Sequence, residues 1–124
     1  MCCQEIKTRC PLNTPGYEQF WNHSQERGKS GTLILAKQPP LSWSAGFGID
    51  RFDCEGRLIT LEYKDYYIIN VYVPSIHPHS APDRPGFRLD WDTALCEYIA
   101  KLPKPVVLCE DLNATLASVS YTHL

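Results

Sequence analysis

No run of apolar residues in this 124-residue chain approaches the roughly 18 residues that a membrane-spanning helix needs. We therefore expect no membrane partner. Basic residues are not in excess either, since 12 Lys and Arg stand against 14 Asp and Glu, for a formal net charge of −2. Without a global basic field, binding to nucleic acid has to rely on local charge, which a bound divalent cation can supply.

The chain also has no Cys-x-x-Cys spacing, which disfavours a zinc site. Its start has neither the basic nor the apolar segment of a secretory signal, so we expect no signal peptide. Six cysteines are therefore predicted to be reduced in a cytoplasmic protein. Cys96, in a predicted helix, and Cys109, in a predicted strand, are expected to pack as small hydrophobic residues.

The length suits one domain. Short apolar and β-branched segments, separated by Gly, Pro and polar residues, predict a series of strands. These strands are expected at Met1–Lys7, Tyr17–Trp21, Thr32–Ala36, Gly46–Asp50 (an edge strand), Arg57–Tyr63, Tyr66–Val73 and 105–109. The two strands that flank Lys64 and Asp65 are predicted to form a hairpin.

One helix is clear, from Phe87 to Leu102. Apolar residues recur along it at spacings of three and four, which places them on one face. They are Phe87, Trp91, Leu95, Tyr98, Ile99 and Leu102. A helix followed directly by a strand, after several hairpins, predicts a mixed α/β (α+β) sheet domain.

The strand after this helix runs into Glu110, Asp111, Leu112 and Asn113. Ligands of α/β sheets bind at the carboxyl ends of strands. On an extended chain, Asp111 and Asn113 would point to the same side. A carboxylate and an amide oxygen together suit Mg²⁺ and the phosphate that it carries. The alternative is a strand followed by an ordinary Asx-type turn.

Three other places carry candidate chemistry, each with a plain alternative. Glu5 stands near the end of the first predicted strand, but could be a solvated surface charge. The loop 28–31 has two glycines and could approach a phosphate, although an ordinary hairpin connection is the favoured interpretation. His77 and His79 form a His-x-His pair, which we interpret as exposed loop histidines rather than metal ligands.

Four segments together resemble the exonuclease III family of AP endonucleases, in order and in spacing. They are Cys3–Lys7, Ser30–Thr32, Glu55–Arg57 with Val71–Pro74, and Asp111–Asn113. The resemblance covers about residues 1–115 and places the chain in the endonuclease/exonuclease/phosphatase superfamily. It implies a two-sheet β-sandwich flanked by helices. It also implies a Mg²⁺-dependent (or Mn²⁺-dependent) DNA repair nuclease that acts, as a monomer, on duplex DNA at abasic sites and 3′ ends.

The resemblance further implies roles for individual residues. Glu5 is similar to the metal-binding glutamate of the family, and Asp111 to the aspartate that orients or deprotonates the attacking water beside the metal. Asn113 is similar to the asparagine close to the metal and the scissile phosphate. Lys29 and Ser30, in the Gly-x-Ser-Gly loop, are expected to bind substrate. So is Arg88, at the head of the helix beside the catalytic position of Phe87.

Several residues depart from the family pattern. Phe87 replaces a tyrosine whose hydroxyl is expected to touch the phosphate or the leaving group. Losing one such donor can weaken transition-state binding by roughly 2.7–4 kcal/mol. Lys29 also replaces a tyrosine, Ser75 replaces an asparagine, and Glu110 replaces a glycine and adds negative charge beside the substrate.

The family domain is longer than this chain, with an Asn-bearing metal strand before it and an Asp-His pair after it. We therefore interpret residues 1–117 as a partial domain that is inactive alone. Residues 118–124 resemble a translated sequencing adapter and are expected to be a non-native tail. Two further hypotheses remain, a non-catalytic remnant or binding module, and a phosphatase or phosphodiesterase of the same superfamily.

Overall fold

The structure is a computed structural model that describes residues 1–75 and 84–113. Along the described residues, four strands come first, followed by a short helix, two further strands, a long helix and a last strand. The strands are β1 (Cys2–Gln4), β2 (Glu18–Asn22), β3 (Thr32–Ala36), β4 (Ser42–Ala45), β5 (Leu58–Glu62), β6 (Tyr67–Tyr72) and β7 (Val106–Asp111). The helices are α1 (Asp50–Asp53) and α2 (Arg84–Ala100).

The strands form two sheets. The first sheet has the order β1-β3-β2 and is antiparallel throughout. The second has the order β4-β5-β6-β7, in which β5 and β6 form the expected hairpin and β7 runs parallel to β6. The parallel pair requires a crossover, which α2 supplies.

Alternating side chains of the second sheet face two different partners. One face packs against the first sheet and forms the intersheet layer, whose buried residues are Phe20, Ile34, Ala36, Ile59 and Leu61. The other face packs against α2 and forms the helix-side layer, whose buried residues are Phe52, Leu58, Ile69, Val71, Val73, Trp91 and Leu95. The expected α/β (α+β) sandwich with helices on its outer face is confirmed.

The apolar face predicted for the helix is the face that α2 buries. Trp91 is fully buried and Leu95 nearly so, while Phe87, Tyr98, Ile99 and Leu102 pack around them half-buried. The prediction for Cys96 was wrong, because this residue lies on the exposed face of the helix. All six cysteines are free thiols.

The predicted edge strand at Gly46–Asp50 was also wrong. The edge strand is β4, which ends at Ala45, and the chain then turns through Gly46 and Gly48, both at φ +84°. The Asp53 carboxylate accepts the backbone N–H groups of Phe47, Gly48 and Ile49 at 2.7–2.9 Å. The Asp53 side chain thus accepts backbone hydrogen bonds that, in an edge strand, would go to a neighbouring strand.

Neither helix of the described residues is long and apolar enough to cross a membrane. His77 and His79 lie outside the described residues, and so does the expected tail at 118–124. The assignment of those residues stays a prediction.

Candidate active site

The hydrogen bonds between the sheets bring the ends of several strands to one end of the sandwich. Thr32, at the start of β3, donates its hydroxyl to the Gly56 carbonyl at 3.0 Å. Asn22, at the end of β2, donates its amide to the Leu58 carbonyl at 2.8 Å. Leu58 pairs with Val71 in β6, whose next residue pairs with Asp111. The ends of β1, β6 and β7 therefore share this end, which we call the site end.

Glu5 follows β1 directly and belongs to the site end, because Gln4 pairs with Thr32. Its backbone has φ +56°, in the left-handed region, and the next N–H, of Ile6, donates to the Gly31 carbonyl at 3.0 Å. The carboxylate is about half exposed, with one oxygen 3.2 Å from the Lys7 ammonium. Glu5 is thus a solvated charge held on an anchored backbone.

Asp111 ends β7, and Asn113 turns away from the strand direction with φ +46°. The expectation of an extended chain here was wrong, since an Asp111 carboxylate oxygen accepts the Asn113 backbone N–H at 3.1 Å. This is the Asx-type turn of the alternative interpretation. The turn also directs the Asn113 amide nitrogen to the Val73 carbonyl at 2.7 Å, which ties it to the end of β6.

Backbone strain collects at the site end. In residues 1–75 and 84–113, the non-glycine residues with positive φ are Glu5, Ser30 and Asn113. Each such residue costs on the order of 1–2 kcal/mol. All three belong to the residues that the sequence predicts for the site. Strain of this kind persists only where the surrounding structure maintains it, and it concentrates at functional sites.

The loop 28–31 joins β2 to β3, so it is the hairpin connection of the plainer interpretation. Ser30 is buried and donates its hydroxyl to the Glu55 carbonyl at 2.5 Å, so it holds the loop against the turn before β5. Lys29 is exposed, with its ammonium 2.9 Å from the Glu26 carboxylate. Both residues line a cleft of about 240 Å³ with Ser24, Gln25, Glu26, Cys54, Glu55 and Arg57.

Arg57 is a site-end residue that the sequence predictions did not include. Its guanidinium contacts the Glu55 carboxylate at 2.5 Å, donates to the Tyr72 carbonyl at 2.9 Å and lies over the Tyr72 ring. The side chain is only 9% exposed. The sequence does contain a signal for Arg57. It stands at the first position of a predicted buried strand, and a charged side chain that becomes buried there needs an ion-pair partner.

Phe87 and Arg88 are neighbours near the start of α2, but their side chains face different surroundings. Arg88 donates to the Pro74 carbonyl at 3.0 Å and to the Asp92 carboxylate at 2.9 Å. It therefore anchors the helix beside Val73, the residue that holds Asn113. The Phe87 ring packs edge-on against Phe52 at 5.5 Å, in the helix-side layer.

Cys2 and Cys109 show that β1 and β7 lie side by side across the two sheets. Burial and, to a lesser extent, a hydrogen bond with the Cys109 thiol raise the pKa of the Cys2 thiol to about 12. Cys109 and Asp111 lie on the same face of β7, because they are two residues apart. The Asp111 side chain thus belongs to the face that β1 and Glu5 approach.

At the site end, Glu5, Lys29 and Ser30 lie in segments that adjoin strands of the first sheet. Asp111 and Asn113 lie at the end of β7 and just after it, and Arg88 lies in α2. The described residues contain no group of three or more His, Cys, Asp or Glu that could hold a metal ion. The available ligands are the oxygens of Glu5, Asp111 and Asn113. Oxygens of this kind suit a hard divalent cation, which needs only one or two protein carboxylates when water and phosphate oxygens complete its shell.

Comparisons with known proteins show the family to which the chain belongs. The model of the Endonuclease/Exonuclease/phosphatase family matches residues 1–124. An exodeoxyribonuclease of Bacillus subtilis is 38% identical over 118 residues, which are 91% of this chain and 46% of the relative. A DNA-(apurinic or apyrimidinic site) endonuclease of Dictyostelium discoideum is 37% identical over 122 residues, covering 91% of this chain and 33% of the relative. The chain thus spans less than half the length of these relatives.

Solved structures show the same fold. The 3′ phosphatase NExo from Neisseria, bound to a product DNA hairpin, superposes with a TM-score of 0.76 at 22% identity, over 94% of this chain and 48% of that one. An AP endonuclease from Archaeoglobus fulgidus gives a TM-score of 0.73 at 23% identity, over 95% of this chain and 48% of that one. The expected resemblance to exonuclease III and AP endonucleases is confirmed, and the chain belongs to the endonuclease/exonuclease/phosphatase family.

Proposed function

We propose that this chain carries part of the active site of a divalent-metal-dependent nuclease that hydrolyses DNA phosphodiesters at abasic sites and 3′ ends. The observation that supports the proposal best is the shared position of Glu5 and the Asp111–Asn113 turn at the site end. Glu5 and Asn113 are each held in a left-handed backbone conformation. The substrate class comes from the names of the relatives, an exodeoxyribonuclease and an AP endonuclease.

Glu5, Asp111 and Asn113 would hold Mg²⁺ or Mn²⁺ through their oxygens. Bound there, the cation would neutralise charge on the scissile phosphate. Asn113 suits this role because its amide nitrogen is bound to the Val73 carbonyl, which leaves the amide oxygen as its remaining ligand atom. The backbone hydrogen bond between Ile6 and Gly31 keeps the Glu5 segment in place before any ligand arrives.

In the reaction, the Asp111 carboxylate accepts a proton from the attacking water. The water oxygen forms a bond to phosphorus, the bond from phosphorus to the leaving sugar oxygen breaks, and that oxygen takes a proton from solvent. Phe87 cannot donate a hydrogen bond to the phosphate, so this chain relies on its charged groups for that stabilisation.

Lys29 supplies positive charge to the DNA backbone from the rim of the cleft, weakened by its ion pair with Glu26. Arg88 is bound to Asp92 and Pro74, so its contribution to DNA binding requires exchange of the Asp92 contact for a phosphate. We propose a cytoplasmic monomer as the working form.

Metal binding tests the proposal directly on the 124-residue protein. Titration with Mn²⁺ should give one site whose affinity falls by about tenfold or more in Glu5→Gln and in Asp111→Asn, because each removes a charged oxygen ligand. Glu62→Gln is the matched control, since Glu62 ends β5 at the far end of the sandwich. Equal affinities in all four proteins would contradict the proposed site.

Substrate choice needs a separate assay with the 124-residue chain and with the product of the complete reading frame that contains it. Cleavage of a duplex with one abasic site, dependent on Mg²⁺, is the expected result for the complete product. Hydrolysis of a soluble phosphomonoester with no cleavage of the duplex would instead establish a phosphatase. No hydrolysis of either substrate would favour a binding module.

A further inference from the structure

Asn70 is a fully buried amide in the middle of β6, on the face that meets the first sheet. Its amide nitrogen donates to the Cys3 carbonyl at 2.9 Å and to the Leu33 carbonyl at 3.0 Å. Its amide oxygen accepts the side-chain N–H of Gln4 at 2.6 Å. One side chain of the second sheet therefore bonds two strands of the first.

These partners connect both halves of the proposed site. Cys3 and Gln4 directly precede Glu5, so Asn70 bonds the last two residues of β1 before the carboxylate. On the other side, Asn70 pairs with Cys109 in β7, two residues before Asp111. Beside the direct hydrogen bond between Cys2 and Cys109, Asn70 thus forms a second connection between the strand that precedes Glu5 and the strand that carries Asp111.

An amide is suited to this position for a physical reason. Apolar packing between two sheets is not directional, so it resists separation of the sheets more than sliding. The three hydrogen bonds of Asn70 have fixed directions and partners, and burial strengthens each of them. Sliding of β1 by one residue would leave the amide unpaired, at a cost of about 1–3 kcal/mol for each orphaned group.

We infer that Asn70 is a positioning residue that, through Gln4 and Cys3, fixes Glu5 relative to Asp111. It touches neither metal nor substrate. The expected effect of Asn70 on metal affinity rests on the proposed function. The placement of β1 itself can be measured without metal.

The first measurement is hydrogen exchange of the segment 1–7, followed by mass spectrometry, in the metal-free 124-residue protein. In Asn70→Ala we expect exchange of this segment to be about tenfold faster or more, because its attachment to β6 is lost. Gln4→Met removes only one of the three hydrogen bonds at a half-buried position and should give a smaller acceleration. The Gln4→Met variant still tests the inference if Asn70→Ala fails to fold.

Thr60→Val is the matched control. Thr60 is buried in the same sheet and shares a hydrogen bond of 2.7 Å with the Tyr98 hydroxyl, on the face opposite to Asn70. Its loss weakens the fold but leaves β1 attached. Exchange of the segment 1–7 should therefore be unchanged in this variant, apart from the small shift that its lower global stability imposes.

The second measurement is the Mn²⁺ affinity of the same proteins under conditions where each is fully folded. The expected order of affinity is wild type equal to Thr60→Val, then Gln4→Met, then Asn70→Ala, with about a tenfold loss in the last. A merely structural role would lower the denaturation midpoint in all three variants and leave affinity alone.

The two measurements separate the inference from the function on which it rests. Equal exchange in Asn70→Ala, Gln4→Met and Thr60→Val would overturn the positioning role, whatever the metal data show. Equal Mn²⁺ affinity in Asn70→Ala and wild type would overturn it as well. A wild-type protein that binds no Mn²⁺ would overturn the proposed function, while the exchange data would still decide whether Asn70 places β1.

Discussion

The helix-side layer and the intersheet layer are both buried, yet their polar groups are used differently. In the helix-side layer, rings of Phe47, Trp91 and Tyr98 meet edge-on at 5.1–5.6 Å, and the Thr60 hydroxyl bonds another side chain. In the intersheet layer, Asn70 and Thr32 bond backbone carbonyls of the opposite sheet. Both layers bury apolar area, but the second also carries hydrogen bonds that determine where the strands of one sheet lie relative to the other.

This difference assigns stability and site geometry to separate parts of the protein. Removing apolar volume from the helix-side layer should lower the free energy of unfolding and spare the site end. Disturbing the contacts that hold β1 should change the geometry of the site end strongly and lower the free energy of unfolding only slightly. The experiments below test that separation, in order of decreasing expected effect.

Trp91→Ala should have the largest effect on stability. Trp91 is fully buried in the helix-side layer, and its truncation should lower the free energy of unfolding by about 3–5 kcal/mol. Denaturation by urea measures this loss. Trp43→Ala is the control, since Trp43 is half exposed on the edge strand β4 and should lose much less. A fall in Mn²⁺ affinity of folded Trp91→Ala would contradict the separation of the two layers.

Gly31→Ala should affect the site end. A Cβ at Gly31 would lie 2.5 Å from the Ile6 carbonyl oxygen, and the residue has φ +95°. The segment after Glu5 has to move, so we expect weaker Mn²⁺ binding in addition to lower stability. Gly28→Ala is the control, because Gly28 also has a positive φ but a Cβ there meets nothing within 4 Å.

Gly28→Ala should therefore lose only about 1–2 kcal/mol of stability from backbone strain, with unchanged metal affinity. Calorimetric melting and Mn²⁺ titration of both variants measure the two effects. The same metal affinity in Gly31→Ala and Gly28→Ala would show that the contact between Gly31 and Ile6 does not hold Glu5.

The cysteines provide a chemical probe of the contact between β1 and β7. Because the pKa of Cys2 is raised from 9.0 to about 12, its thiolate fraction at pH 8 falls by roughly three orders of magnitude. Cys10 and Cys96 are exposed and should be alkylated by iodoacetamide long before Cys2. Peptide mapping of timed samples measures the order. Early alkylation of Cys2 in the folded protein would mean that β1 does not rest against β7.

The smallest effect is expected at Glu62, far from the site end. The Lys104 ammonium, 3.0 Å away, holds the pKa of the Glu62 carboxyl below its usual value. This interaction contributes stability above the ordinary pKa of glutamate, and the contribution is lost as the pH falls through the lowered pKa. In Lys104→Met the pKa of Glu62 should rise in an NMR titration, while Mn²⁺ affinity stays the same. An unchanged pKa would show that Lys104 is not the cause.

Much of the fold was predictable, because its signals are local. The stripe from Phe87 to Leu102 matches the buried face of α2, and the apolar segment after Tyr66 is the central strand β6. The error at Gly46–Asp50 came from one side chain, Asp53, which takes backbone hydrogen bonds in place of a strand. The hydrophobic periodicity of the sequence does not indicate these hydrogen bonds, since they depend on where the Asp53 carboxylate lies after folding.

The candidate site was predictable in its residues but not in its geometry. Glu5, Asp111 and Asn113 stood out by their places at strand ends and by resemblance to a family. Their backbone conformations could not be predicted, because the same Asp and Asn residues are compatible with an extended chain and with an Asx-type turn. Asn70 gave no signal, since a lone amide in an apolar strand shows its value only when its partners are known.

The order of residues alone thus determines most of the segments that become strands, the face of the helix that is buried and the side chains that carry oxygen ligands. These properties depend on neighbours within a few positions along the chain. The approach of β1 to β7, the partial burial of Cys2 and the three bonds of Asn70 arise only when two sheets meet. The partners of Asn70 lie 37 to 67 positions away along the chain, and Cys2 and Cys109 are 107 positions apart.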